Sequence, residues 1–280
     1  MRDRPAAVVG TWYPGNPGAL VRDVDDYLEH AAVEPESDVR AIIAPHAGLM
    51  FSGPVAAWAY KAASGGTYEA ALLVGPSHFV GFDGVAVWPS GRFETPLGPA
   101  PIDEALAAAC LASPVAHERE AAHRREHSLE MQLPFVRRLF PELPIVPIVV
   151  GYQVRETIDA LGALLADAAG SRSVLLVAST DLSHYFDAET ADRLDGRVRD
   201  LVNRCDADGL LDLYEQYPEH ERGRYVACGG GAAIAVMQAA RRLGAPEGRV
   251  LHYAHSGHVS GDETAVVGYL AAAFGTFHAE

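Results

Sequence analysis

Five short segments carry side chains that can bind a metal or move a proton. His46 stands in PHAGLMFSGPV, His78 in GPSHFVGFDG, Asp181 and His184 in STDLSHYF, Cys228 in YVACGGGAAIAVM, and Glu126, His127 and Glu130 in EHSLEMQLPF. Neutral imidazole is the commonest protein ligand for zinc, iron and copper, so a pair of histidines in Pro- and Gly-tightened turns reads as a metal site. Cys228 directly precedes a glycine run that opens a predicted helix. A helix amino terminus lowers a thiol's pKa, which suits this cysteine to be a thiolate ligand or nucleophile. The plainer alternative is a small buried residue that permits close packing. Glu126 and Glu130, four residues apart at the start of a predicted helix, share a face and can orient histidine ligands, although capping explains Glu126 equally well. Asp181 and His184 can form an acid–base pair or add ligands, because an Asp fixes the tautomer of a neighbouring imidazole.

A lone histidine in a loop is more often a surface or hydrogen-bonded residue than a ligand. Three segments share one arrangement, however: AIIAPH, ALLVGPSH and LLVASTDLSH each place a histidine just beyond an apolar run. In open parallel sheets, ligands bind in the crevice outside the carboxyl ends of the strands. The pattern therefore predicts that His46, His78, Asp181 and His184 meet at one sheet edge.

The elements that must hold them are legible in outline. Short continuous apolar runs at 41–44, 70–74, 145–150 and 173–178 suit strands buried on both faces. Asn16 followed by Pro17 caps a predicted helix over 17–32, and further helices are expected at 54–63, 102–111, 154–169, 189–203 and 229–243. Two more strands are expected at 249–254 and 265–270. Strands alternating with helices imply right-handed crossovers and one α/β domain spanning 1–280, with a central, mostly parallel sheet and helices on both faces.

Composition narrows the function. The 280 residues are 49% hydrophobic and 21% charged, as in an ordinary globular protein, and the net charge of −15 repels a nucleic-acid backbone or an anionic membrane. The amino terminus lacks an apolar core of signal-peptide length, and no stretch approaches the roughly 18 apolar residues of a membrane span. Three cysteines without close spacing fit a reducing compartment, so the sequence predicts a cytoplasmic protein with neither nucleic acid nor membrane as partner. Cys110 and Cys205 read as structural. His30, His117, His123, His220 and His278 are expected at the surface, and His252 and His255 should point apart and form no second metal site.

GTWYPG, IIAPHAG, GPSH, TPLG, EHSLEMQLP, STDLSHY and CGGG, in this order and at these intervals, resemble the Memo family over about residues 8–270. That family includes the animal mediator of cell motility and the bacterial AmmeMemoRadiSam system protein B. The resemblance implies a fold like that of the class III extradiol (LigB-like) dioxygenases, which are non-haem iron enzymes. It implies metal ligation by His46, His78 and Cys228, with Asp181, His184, Glu126 and His127 as the catalytic pocket positions. Many relatives carry a second histidine after GPSH, where Phe79 stands here. Two functions follow as expectations: an iron- or copper-dependent oxidoreductase acting on an unknown small substrate, or a non-catalytic protein that binds a peptide or partner. In bacteria, the resemblance implies radical SAM and Amme-type proteins as partners. The motif loops hold few basic side chains, which argues against phosphopeptide binding.

Overall fold

The computed structural model describes residues 2–277. Its nine-stranded sheet runs in the order His184–Phe186, Val266–Gly275, Val39–Ala44, Val174–Ser179, Ala70–Pro76, Ile145–Val150, Val85–Val87 and Ala116–Glu118, with Glu247–His255 also paired to Val266–Gly275. The four strands from Val39–Ala44 to Ile145–Val150 are mutually parallel. The last three of these are buried at every residue, as continuous apolar runs require when both sheet faces are covered. Antiparallel pairs flank this centre on both sides, so the sheet is parallel where the site is built and mixed as a whole. Helices Pro17–His30, Leu49–Ala63 and Leu133–Leu139 pack together in one layer, and Arg155–Ala169, Ala207–Glu215 and Gly230–Arg242 in another. This is the layered α/β architecture expected from the alternation of elements, and it is consistent with the dioxygenase-like fold. One hydrophobic core runs through both layers.

Local signals hold where they were strong. The Asn16 side chain accepts from the Ala19 N–H at 2.9 Å, Pro17 opens the helix, and Leu20 and Val24 are buried. The next helix, expected to open at Pro54, begins at Leu49, with Pro54 inside it. The missing proline N–H removes only the bond to the carbonyl of Met50, an exposed residue. The earlier start leaves just four residues between strand and helix, and Ser52 Oγ ties this turn by donating to the Ala47 carbonyl at 2.7 Å.

Three expectations need correction. Glu126 and Glu130 do not share a helix face: residues 126–129 are not helical, Glu130–Gln132 is a 3-10 turn, and the helix begins at Leu133. The two carboxylates diverge because each is claimed by a different partner, His78 for Glu126 and Arg4 for Glu130. His123 is buried rather than exposed; its Nε2 lies 3.1 Å from the Ala86 carbonyl and its ring meets Trp88 and Phe93. Burial, reinforced by the Arg4 charge, lowers its pKa to about 3. Helices Ala207–Glu215 and Glu219–Tyr225 were not anticipated; the second, EHERGRY, buries no residue and so shows no apolar periodicity. His30, His117 and His220 are exposed, and His278 lies outside the described residues.

Candidate functional site

Strands Val39–Ala44, Val174–Ser179 and Ala70–Pro76 are parallel neighbours, and His46, Asp181 and His78 each follow their strand's last residue by two positions. Neighbouring strands lie about 4.8 Å apart, so equivalent turns carry these side chains to one edge. Cys228 arrives from the other layer, two residues ahead of helix Gly230–Arg242. One nitrogen each of His46 and His78 and the Cys228 sulfur lie within 4.8 Å of one another. Cys228 Sγ is 3.2 Å from His46 Nε2, and the two imidazoles meet edge to face at 5.2 Å.

Hydrogen bonds behind the rings fix which nitrogen faces the site. Ser179 Oγ donates its one proton to the Ser128 carbonyl at 2.6 Å and accepts from Gln132 Nε2 at 2.7 Å. The contact at 2.9 Å between Ser179 Oγ and His46 Nδ1 therefore has the imidazole as donor, leaving Nε2 with its lone pair. His78 Nδ1 donates to Glu126 Oε1 at 2.8 Å, so Nε2 is the nitrogen it turns toward the site. Glu126 also accepts from the backbone N–H groups of His78 at 2.6 Å and Ser128 at 2.9 Å. A carboxylate behind a histidine is the usual way to orient a metal-binding imidazole and raise its basicity.

Cys228 is held in place by backbone and side-chain contacts. Its N–H donates to the Asp181 carbonyl, while the Asp181 N–H approaches the sulfur at 3.4 Å. Gln153 clamps the turn from both sides, donating to the Cys228 carbonyl at 2.7 Å and accepting from the Gly231 N–H at 2.8 Å. At Gly229 any Cβ would collide with the Ser179 carbonyl, so the CGG sequence lets this loop cross close beneath the site. Burial pushes the Cys228 thiol up, but His46 and His78 outweigh it and bring the pKa down to about 6. The neighbouring imidazoles thus account for the lowered value that the sequence had attributed to the helix terminus. Burial opposes the charge on His78 too, yet its bonds to Cys228 and Glu126 raise it to about 10.

These groups open onto a pocket of about 510 Å³, also lined by Asp181, His184 and His127. Asp181 Oδ1 accepts from the His46 N–H at 2.7 Å, and burial raises the pKa of its carboxyl. The buried Nδ1 of His184 has no hydrogen-bond partner among the described residues. His127 stacks on His78 at 4.4 Å; burial, followed by repulsion from His46 and His78, pulls its pKa down to about 3 and keeps it neutral. Glu126 lies behind His78, outside the pocket lining. Glu130 lies outside, binding Arg4 Nη1 at 2.6 Å, the Ala7 and Val8 N–H groups and Tyr13 Oη. Cys110 and Cys205 are buried elsewhere, and His252 and His255 diverge, one stacking on Trp58 and the other on His258.

The motif reading missed Trp12, Tyr185 and Arg224, which line the same pocket. Trp12, in GTWYPG, packs against His127 at 4.3 Å. Tyr185, in the STDLSHY segment, adopts a φ of 62°, an unusual value for a tyrosine. Both lie inside quoted motifs and were within reach of the sequence. Arg224 lies in a helix without apolar pattern, and nothing in its surroundings marks it.

Comparison with known proteins agrees with the resemblance. The Memo-like protein family matches residues 4–273. A MEMO1 family protein of Methanopyrus kandleri is 35% identical, the alignment covering 97% of this chain and 99% of that protein. Another from Methanosarcina mazei is 37% identical over 97% of this chain and 98% of its own. The crystal structure of an uncharacterized protein from Escherichia coli K12 superposes with a TM-score of 0.56 at 14% identity, covering 83% of this chain and 99% of that one, a likeness of fold.

Proposed function

The chain belongs to the Memo-like family, and from that premise we propose that it is an iron- or copper-dependent oxidoreductase-like protein acting on a small substrate in this pocket. The observation that carries the reading is the donor set: two imidazoles whose Nδ1 atoms are both engaged behind them, and a thiol with a depressed pKa, converging within 4.8 Å. Such a set fits a transition-metal ion of the thiolate- and imidazole-binding kind, and thiolate ligation favours copper or a redox-active iron. Bound there, the ion would supply one-electron exchange and polarisation of a substrate oxygen.

The chain's own residues supply the rest. Asp181 holds the His46 turn through its backbone N–H. His184, which lines the pocket beside Asp181, is the imidazole placed to accept or return a proton from substrate, and His127 closes one wall as a neutral ring. Protein prepared anaerobically without an affinity tag should contain close to one iron or copper per chain by elemental analysis. Failure to hold either stoichiometrically after anaerobic reconstitution would overturn the proposal. Glu126→Gln keeps the shape but removes the charge behind His78, and should weaken metal binding by roughly 10–100-fold. A competition titration with a chelating dye measures this, and an unchanged affinity would remove Glu126 from the metal's support.

A second reading rests on the exposed aromatic rings of Trp12, Phe79 and Tyr185 beside the pocket. Exposed aromatic groups of this kind favour contact with another protein, and the radical SAM and Amme-type proteins are the partners this reading names. It treats the chain as an accessory component without turnover. Retention of substrate-free metal together with a saturable complex with either protein would favour it.

A further inference from the structure

We propose that Gln153 is a positioning residue that sets where the Cys228 sulfur stands, and that Arg222 fixes Gln153 in turn; this rests on reading the site as a metal centre. Cys228 lies in the four-residue link 226–229 between helices Glu219–Tyr225 and Gly230–Arg242, and three glycines follow it. Glycine leaves the backbone more freedom than any other residue, so a sulfur carried there keeps its place only if neighbouring groups restrain the turn. The helix that follows supplies little restraint, because Gly229 stands at its cap position and offers no side chain to its first N–H groups. The Cys228 and Gly229 N–H groups are tied to the Asp181 carbonyl and, at 2.8 Å, to Thr180 Oγ1. The Cys228 carbonyl and the Gly231 N–H are left to Gln153.

Gln153 comes from the fourth strand of the parallel set. It stands three residues past Ile145–Val150, the neighbour of the strand that delivers His78. Holding a carbonyl and an N–H at once takes a donor and an acceptor on one planar group, and a single orientation of the amide satisfies both. Gly231 lets that amide approach, since a Cβ there would lie 2.9 Å from Gln153 Oε1. Gln153 is itself held by Arg222, whose Nη1 donates to the Gln153 carbonyl at 3.2 Å and whose Nε donates to the Tyr217 carbonyl at 3.1 Å. Arg222 belongs to helix Glu219–Tyr225, which walls the pocket through Gly223 and Arg224. That helix packs directly on the ligand turn: a Cβ on Gly223 would meet the Cys228 Cα at 3.4 Å. The turn is thus gripped between a strand-end amide and a pocket wall, and a shift of either moves the sulfur relative to His46 Nε2, 3.2 Å away.

Cobalt(II) is the probe, because its charge-transfer band with a thiolate reports the metal–sulfur bond itself. The parent is compared with Gln153→Leu, which loses both bonds, with Gln153→Glu, which keeps the acceptor but sets a carboxylate oxygen against the Cys228 carbonyl, and with Arg222→Met. Gln153→Leu and Gln153→Glu should each bind cobalt roughly 10–100-fold more weakly, with a shifted and weaker thiolate band at saturation. Arg222→Met should show the same change to a smaller degree. A side chain that only stabilises the fold would lower the urea unfolding midpoint and leave the band of the bound ion as in the parent. In metal-free protein, amide hydrogen exchange over residues 226–231 should quicken in Gln153→Leu. The proposal is overturned if Gln153→Leu or Gln153→Glu matches the parent in affinity, or if the band at saturation is unchanged, and its Arg222 half falls if Arg222→Met matches the parent. A parent that binds no cobalt counts against the metal reading instead. Exchange in the metal-free protein then decides the rest, because no acceleration over 226–231 in Gln153→Leu means that Gln153 does not hold the Cys228 turn.

Discussion

Cys228→Ser is expected to lose metal affinity by more than the roughly 10–100-fold that changes behind a ligand cost, because it removes a donor atom itself. Metal ligation requires the thiolate, and a serine hydroxyl does not ionise under the same conditions. The two imidazoles alone leave a site with too few protein donors for a tight divalent ion. Folding should survive, since serine is close to cysteine in size, and the Asp181 N–H that faces the sulfur can donate to the new oxygen. The residual cost, about 1–3 kcal/mol, applies only if the hydroxyl is left without an acceptor, and His46 Nε2, 3.2 Å from the present sulfur, offers one. Cys110→Ser is the control: that thiol is fully buried in helix Glu104–Leu111, where burial pushes its pKa up to about 12. Competition titrations with iron(II) and copper(I) read the difference. Equal metal affinity in both variants would make Cys228 a packing residue.

The sheet-edge convergence was legible because it depends on only two regularities, buried apolar strands and a short polar turn after each. Three parallel neighbours with a residue of interest two positions past the end are bound to bring those residues together. The roles behind the ring nitrogens were not legible. Ser179 and Gln132 sit in an apolar strand and a 3-10 turn, and only their spatial meeting with Ser128 shows that His46 must donate from Nδ1. The EHS segment misled for a related reason. Its i, i+4 spacing suits a helix, but residues 126–129 give up helical bonding because each carboxylate gains more from a partner distant in sequence. His123 shows the same override. Its charged neighbours in AAHRREH suggested solvent, whereas the chain turns its ring inward over Phe93 and Trp88.

Glu130→Ala is expected to cost roughly 3–5 kcal/mol of stability, the loss that follows when one member of a buried ion pair is removed. Arg4 and Glu130 are respectively 1% and 0% exposed, so the guanidinium left behind has no water to turn to. Arg4 remains fixed there because its other nitrogens donate to the carbonyls of His123 and Glu126. The carboxylate also gathers the Ala7 and Val8 N–H groups and the Tyr13 hydroxyl, which ties down the segment that carries Trp12. Its removal should therefore shift the Trp12 environment as well as the unfolding midpoint. Urea denaturation followed by fluorescence gives the stability, and Trp58→Phe with Trp88→Phe in the background isolates the Trp12 signal. The paired change Arg4→Met with Glu130→Leu should recover part of the loss, since apolar residues of similar volume remove both desolvated charges together. An exposed pair such as Arg155 with Glu215 sets the scale for comparison, at about 0–1 kcal/mol. If Glu130→Ala costs no more than Glu215→Ala, the pair does not hold the amino-terminal segment against the site, and the Trp12 wall must be fixed by its contact with His127 and by the Leu49 N–H that donates to its carbonyl at 2.8 Å.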